Sequence, residues 1–160
     1  MQKFVRAVIG TKNIDHCARL CHASTVVGGI AAFGQGAVSN SYSDFKKTEL
    51  FFVIGSNTTE CHPIIGSMIK RRVGFGGAKL IVADPRSIEL GEYATVRLPH
   101  KPGTDVALIN GLMDIIIRDS LEDKEFIRER TEGFEDMRRL VERFTPEVVE
   151  AMLNAALAGV

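Results

Sequence analysis

Tryptophan is absent from this sequence, and cysteine is scarce, with three residues in 160. So small and odd a number excludes a disulfide scaffold. Neither sign of charge is in excess, because 20 Lys and Arg offset 20 Asp and Glu. A module that grips nucleic acid or anionic lipid through its overall field needs a basic surplus, and none is present. Apolar runs fall far short of the ~20 residues that span a bilayer. The opening Met1-Gln2-Lys3-Phe4-Val5-Arg6 has neither the apolar stretch nor the cleavage site of a secretory leader. The expectation is therefore a cytoplasmic protein without nucleic-acid or direct membrane contact. Hydrophobic residues at 45% and charged residues at 25% make an ordinary globular mixture. One domain of this length buries roughly two-thirds of its unfolded surface.

Two short apolar runs organise the middle of the chain. Leu50-Phe51-Phe52-Val53-Ile54 stops at Gly55, and Lys79-Leu80-Ile81-Val82-Ala83 stops at Asp84-Pro85. Continuous runs of this length, bounded by turn residues, predict strands buried on both faces, as in parallel sheets. Between them, His62 to Val73 reads as a helix with Pro63 at its start, ended by Gly74 to Gly77. Residues 94–98 predict a weaker third strand. Thr104 is placed to cap a helix from Asp105 to Arg118, with Val106, Ile109, Met113 and Ile117 at helical spacing. Further helices are expected at 124–130, 134–144 and from Pro146 onward. Residues 1–49 read as irregular, apart from a helix over 25–33 capped by Ser24 and stopped by Gly34 and Gly36. The order of elements predicts an α/β fold: a three-layer, Rossmann-like parallel sheet flanked by helices, with a helical C-terminal region. The chain is expected to form one domain, comprising a lead-in (1–49), an α/β core (50–122) and a helical part (123–160).

Ligands of open parallel sheets bind at the carboxyl ends of the strands. Three loops qualify. The first is Gly55-Ser56-Asn57-Thr58-Thr59-Glu60, in which Gly55 permits a tight turn and Ser56, Asn57 and Thr58 offer polar groups. The free N–H groups of the helix that follows it suit phosphate. The second is Asp84-Pro85-Arg86, where a carboxylate at a strand end can accept from ribose hydroxyls. The third is Lys101-Pro102-Gly103-Thr104-Asp105. This is a mononucleotide-binding layout without the G-x-G-x-x-G fingerprint, and Gly55 and Asp84 serve equally well as plain turn residues.

The densest cluster of reactive side chains is Asp15-His16-Cys17-Ala18-Arg19-Leu20-Cys21-His22. A helix would place Cys17 and Cys21 on one face. As a zinc site the spacing is poor, and the third cysteine, Cys61, lies forty residues on. Small buried hydrophobes are the alternative role for such cysteines.

The string Asn13-Ile14-Asp15-His16-Cys17-Ala18-Arg19-Leu20-Cys21-His22-Ala23-Ser24, with Val27-Gly28, resembles the molybdenum-binding stretch of the molybdopterin oxidoreductases. Within them it is most similar to formate dehydrogenase catalytic subunits. Four further segments follow in the family's order: 53–60 with His62-Pro63, 78–86, Pro102 to Asp105, and Arg130 to Phe134. The resemblance implies an oxidoreductase that converts formate to carbon dioxide at molybdenum (or tungsten) held by two molybdopterin guanine dinucleotides. Cys21 falls at the metal ligand, where a thiolate suits a soft centre. His22 falls at the catalytic histidine, a position at which related nitrate reductases have methionine. Cys17 falls beside the pterin. Gly55, Ser56, Asn57, Thr58 and Glu60 match the loop around one dinucleotide. Asp84, Pro85 and Arg86 match a second loop, and Gly103, Thr104 and Asp105 match a third that faces the guanine end. Arg19 is either structural or supports the site.

The family's catalytic subunits are several times longer than this chain. They open with cysteines for an iron–sulfur cluster, and nothing before Phe4 supplies these here. A second pterin half-site and an active-site arginine lie in later segments. The implied partners are the remaining domains of the catalytic subunit and an electron-transfer subunit. Two other readings stay open: another molybdopterin oxidoreductase of nitrate reductase type, and a non-catalytic nucleotide-binding module.

Overall fold

A computed structural model describes residues 1–155. Two compact units make up the chain, Met1–Asp44 and a second that starts at Phe45.

The first unit is made of short helical pieces. Helix α1 (Gln2–Phe4) runs into a π-helical turn, Val5–Ile9, which ends at Gly10 in the left-handed region. Helix α2 (Ala18–Cys21) and helix α3 (Ala23–Phe33) follow. The cap expected from Ser24 is not used. Helix α3 starts two residues earlier, with His22 in the N-cap position and no side-chain hydrogen bond there. Gly34 ends the helix at φ 74°, a conformation glycine adopts without Cβ strain. No described side chain of this unit is buried. Leu20, Val27, Ile30 and Phe33 all stand exposed.

The second unit is built on a three-stranded parallel sheet of β1 (Leu50–Ile54), β2 (Lys79–Ala83) and β3 (Val96–Leu98), in that order. Phe51 pairs with Leu80 and Val53 with Val82, so these four share one face. Against that face pack Ile69, from helix α5 (Pro63–Gly76), together with Ala78, Ile88 and Leu90. Leu80 and Leu90 are fully buried. Each such side chain contributes roughly 1.5–3 kcal/mol of transfer free energy.

The other face is more open. Leu50 is 50% exposed and Phe52 42%, so β1 is not buried on both sides as its unbroken apolar run predicted. The run is apolar at every position, but only alternate residues meet the α5 side. The third strand begins two residues later than expected, at Val96, after the 3-10 turn Glu89–Tyr93.

Helix α5 also runs past its expected stop. Gly74 and Gly76 stay helical, and Gly77 provides the left-handed cap at φ 73°. One glycine in that conformation ends a helix, whereas glycines inside it merely cost stability. Helix α6 (Asp105–Arg118) has its expected bounds, but its buried face differs from the expected stripe. Ala107, Leu108, Gly111 and Asp114 are buried, while Val106 and Ile109 are exposed. Helix α7 (Lys124–Arg130) matches its expected span, and its Asp123 carboxylate accepts from Phe126 N–H at 2.9 Å. Helix α8 (Phe134–Val141) stops short of Phe144. Helix α9 (Pro146–Ala155) packs with α8 on α6, and the rest of the expected C-terminal helix lies outside the described residues.

Candidate functional site

The three loops leave the same edge of the sheet because the strands are parallel. In the first, Gly55 turns at φ 60°, and its N–H continues the ladder by donating to Ala83 O at 2.9 Å. A Cβ at Gly55 would meet no atom within 4 Å, so the space beside this turn is open. The polar groups of the loop bind one another. The hydroxyls of Ser56 and Thr58 lie 3.0 Å apart, and Thr59 donates to Asn57 Oδ1 at 3.2 Å. The loop contains a single helical turn, α4 (Thr58–Cys61), which the sequence pattern did not show. Glu60 and Cys61 direct their N–H groups to Asn57 O. The donors expected to be free for phosphate are therefore partly used.

In the second loop Asp84 is buried, and its carboxylate is committed to Arg86. Oδ1 accepts from the Arg86 N–H at 2.8 Å and from Nε at 3.0 Å, and Oδ2 accepts from Nη2 at 3.0 Å. Of the roughly four acceptor positions of a carboxylate, this leaves about one. Asp84 thus holds Arg86 first, and any ribose hydroxyl second. The Arg86 guanidinium holds the Asp84 carboxyl below its ordinary range against the opposing cost of burial. His100 adds a smaller attraction. Arg86 in turn is raised, chiefly by Asp84 and to a lesser degree by Cys61 and Glu60. These mutual influences join the first loop to the second, and the second to the strand end that carries His100.

The third loop centres on that histidine. His100 is 5% exposed, with Nδ1 3.2 Å from Leu98 O and Nε2 2.9 Å from Asp105 Oδ1. The pairing with His100 is the main cause of the lowered Asp105 pKa. Gly103 sits at φ 86° with open space where a Cβ would stand. Thr104 occupies the N-cap position of α6 without a side-chain cap, and its hydroxyl donates to Lys101 O at 2.7 Å instead. The loop patterns did not single out His100. A histidine two residues past a short strand has no spacing signature, and only its burial between two acceptors marks it.

The cysteine segment belongs to the first unit. Cys17 is the N-cap of α2, and Cys21 closes the turn with its N–H on Cys17 O at 3.2 Å, so both lie on one helical turn as expected. Both thiols are exposed, as is Cys61, which excludes the buried-hydrophobe role for all three. Arg19 pairs with Asp15 at 3.0 Å, giving it a structural partner. His22 stands exposed at the break between α2 and α3. Among the described residues no three His, Cys, Asp or Glu side chains group to hold a metal ion. Any metal at Cys21 must then take most of its ligands from elsewhere. No helix of the described residues is long and apolar enough to cross a membrane.

Residues 1–155 match the model of the family described as Molybdopterin oxidoreductase. The chain belongs to the molybdopterin oxidoreductase family. It is 48% identical over 147 residues to the F420-dependent formate dehydrogenase subunit alpha of Methanocaldococcus jannaschii, an alignment covering 92% of the chain and 22% of that protein. It is 46% identical over 163 residues to formate dehydrogenase H of Escherichia coli, covering the whole chain and 22% of that protein. Acetylene hydratase from Pelobacter acetylenicus shares the fold with a TM-score of 0.74 at 29% identity, over 91% of the chain and 19% of its own. This molybdopterin oxidoreductase sequence thus spans about a fifth of the length of these relatives.

Proposed function

We propose that this molybdopterin oxidoreductase domain carries the metal-ligand segment and one nucleotide half-site of a formate dehydrogenase catalytic subunit, acting on formate to give carbon dioxide. The observation that carries the reading is the 44–48% identity to formate dehydrogenase alpha subunits along nearly the whole chain. The pair Cys21-His22 supports it, since both side chains stand exposed on adjacent residues.

The residues fit the cofactor that the family implies. Cys21 offers one soft thiolate, which suits a metal otherwise ligated by its pterins. Gly55 and Gly103 leave open space at the strand ends, and Arg86 presents an exposed cation there. In this reading Gly55, Ser56, Asn57, Thr58 and Glu60 line one pterin guanine dinucleotide, with Cys17 beside the pterin. Asp84, Pro85 and Arg86 hold its phosphate and ribose region, and Gly103, Thr104 and Asp105 its guanine end. When bound, the molybdenum (or tungsten) centre supplies a two-electron sink. His22 takes up the proton released from formate, a role that imidazole fills near neutral pH. An iron–sulfur cluster and an electron-transfer subunit would supply the exit for the electrons.

Formate-dependent dye reduction by the full-length polypeptide carrying this domain, loaded with cofactor, tests the reading. Turnover of formate and none of nitrate is the expected result. Nitrate reduction without formate oxidation would replace the substrate, and no redox turnover of a cofactor-loaded protein would leave a nucleotide-binding module. The 160-residue chain alone is expected to show no formate oxidation, because it spans about a fifth of the length of the formate dehydrogenases it resembles.

A further inference from the structure

His100 spans the base of the third loop. Its Nδ1 lies 3.2 Å from Leu98 O, which places the ring against the end of β3. Its Nε2 meets Asp105 Oδ1 at 2.9 Å, which ties it to the first residue of α6. Between these anchors runs Lys101 to Thr104, with Gly103 in a left-handed turn and the Thr104 hydroxyl folded back on Lys101 O. The histidine side chain is only 2% exposed, whereas that of Asp105 is 46% exposed. A buried ring therefore grips a carboxylate that is half exposed and that the backbone of Gly103 and of Asp105 itself also supports. Two anchors on one planar ring leave little freedom in where that carboxylate stands.

We infer that His100 is the positioning residue of the guanine-end loop: through its bond to Asp105 it sets this carboxylate for the adjacent ring N–H and amino donors of a guanine base. The inference rests on the nucleotide reading above. A carboxylate is acceptor-only and can take both donors at once, provided that its orientation is fixed. His100 does not touch the ligand. It acts through Asp105 and through the loop whose two ends it joins.

Side-chain reach gives the test. Glutamine at position 100 extends an amide donor to about where Nε2 lies, whereas asparagine stops near Nδ1. Calorimetry would measure GDP and IDP, which lacks the 2-amino group, on the 160-residue chain and on His100→Gln, His100→Asn and His100→Leu, each checked for folding by circular dichroism. The unsubstituted chain and His100→Gln should bind GDP within about threefold of each other and prefer it to IDP. His100→Asn and His100→Leu should bind GDP about tenfold more weakly, the worth of one fixed hydrogen bond, and lose the preference. The glutamine–asparagine comparison stands even if the leucine variant does not fold. Equal GDP affinity in all variants, or equal loss in the glutamine and asparagine variants, would overturn the inference while leaving the nucleotide reading in place. So would a chain that binds GDP and IDP alike. A chain that binds no GDP would overturn the nucleotide reading and this inference with it.

Discussion

Arg86 holds Asp84 with three donors, its own backbone N–H and two guanidinium nitrogens, all at 2.8–3.0 Å from the carboxylate of a residue that is 4% exposed. The two residues are separated only by Pro85, so the pair closes a tight loop directly after β2. Asp84→Ala removes acceptors from three donors at once. The chain should lose about 1–3 kcal/mol of stability in urea unfolding, consistent with the loss of buried hydrogen bonds to a charged group. GDP affinity should fall with it, through the freed Arg86. An unchanged unfolding midpoint would show that the pair contributes nothing.

The same pair sets an acid limit. Asp84 is held below its ordinary value of 3.8, first by Arg86, and Asp105 is lowered first by His100. Both carboxyls therefore bind protons less readily folded than unfolded. Their stabilisation is fully present above the unfolded value and is lost as pH falls through the folded ones. Melting temperature should change little from these groups between pH 7 and about 5 and then drop below about pH 4. The drop should be shallower in Asp84→Asn, which has no proton to take up there. Parallel curves for the two proteins below pH 4 would remove Asp84 from the acid transition.

Strand positions were legible because unbroken apolar runs ending in Gly55 and Asp84 fit little else. Which side of those strands is covered was not. Leu50 and Phe52 read as core by composition, yet they lie opposite the α5 face, and an unbroken apolar run cannot tell the two sides apart. Helix α6 shows the same blindness, since its small and polar residues Ala107, Gly111 and Asp114 turn inward while Val106 faces out. At the site, glycines and strand-end loops announced themselves through turn chemistry. His100 did not, because its importance lies in two contacts made by folding. Residue type alone does not settle where a cap forms, since Ser24 lies inside α3 and Thr104 turns its hydroxyl to Lys101 O.

The asymmetry of the sheet can be measured. Leu80 is fully buried on the α5 face, and its register partner Phe51 is buried beside it. Leu80→Ala should cost about 2–5 kcal/mol, the usual range for a leucine deleted from a packed core. Leu50→Ala, on a residue half exposed across the sheet, should stay within about 1 kcal/mol. Equal losses in the two variants would mean that the open face is packed in solution.

Gly66 of α5 is wedged against α4. A Cβ placed on it would stand 3.0 Å from Thr59 Cα and 3.1 Å from Thr59 Cγ2. Backbone cannot rotate away as a side chain can, so the contact is relieved only by moving one helix off the other. Gly66→Ala should therefore destabilise by about 1–3 kcal/mol, despite alanine's better helix propensity. Because α4 carries Glu60 and sits in the first loop, GDP binding should weaken in parallel. Raised stability would show that α4 yields freely and that the loop is not fixed by this contact.

The last prediction separates the roles of adjacent residues. Cys21 and Cys17 share one exposed helical turn, and His22 breaks it before α3 begins. In the full-length cofactor-loaded enzyme, Cys21→Ser should abolish or severely reduce formate oxidation, because a hydroxyl is a harder and much less acidic ligand than a thiol. X-ray absorption at the metal edge should show one sulfur neighbour fewer. His22→Ala should leave that spectrum unchanged and slow turnover by about 10²–10⁴-fold, the usual worth of a positioned base. Cys17→Ser removes an equally exposed thiol from the same turn and should leave the metal's sulfur count intact. If Cys17→Ser lost the sulfur signal and Cys21→Ser kept it, the ligand would have to be reassigned to the other end of α2. His22 would then no longer adjoin the metal ligand, and its part in proton uptake would fall with the assignment.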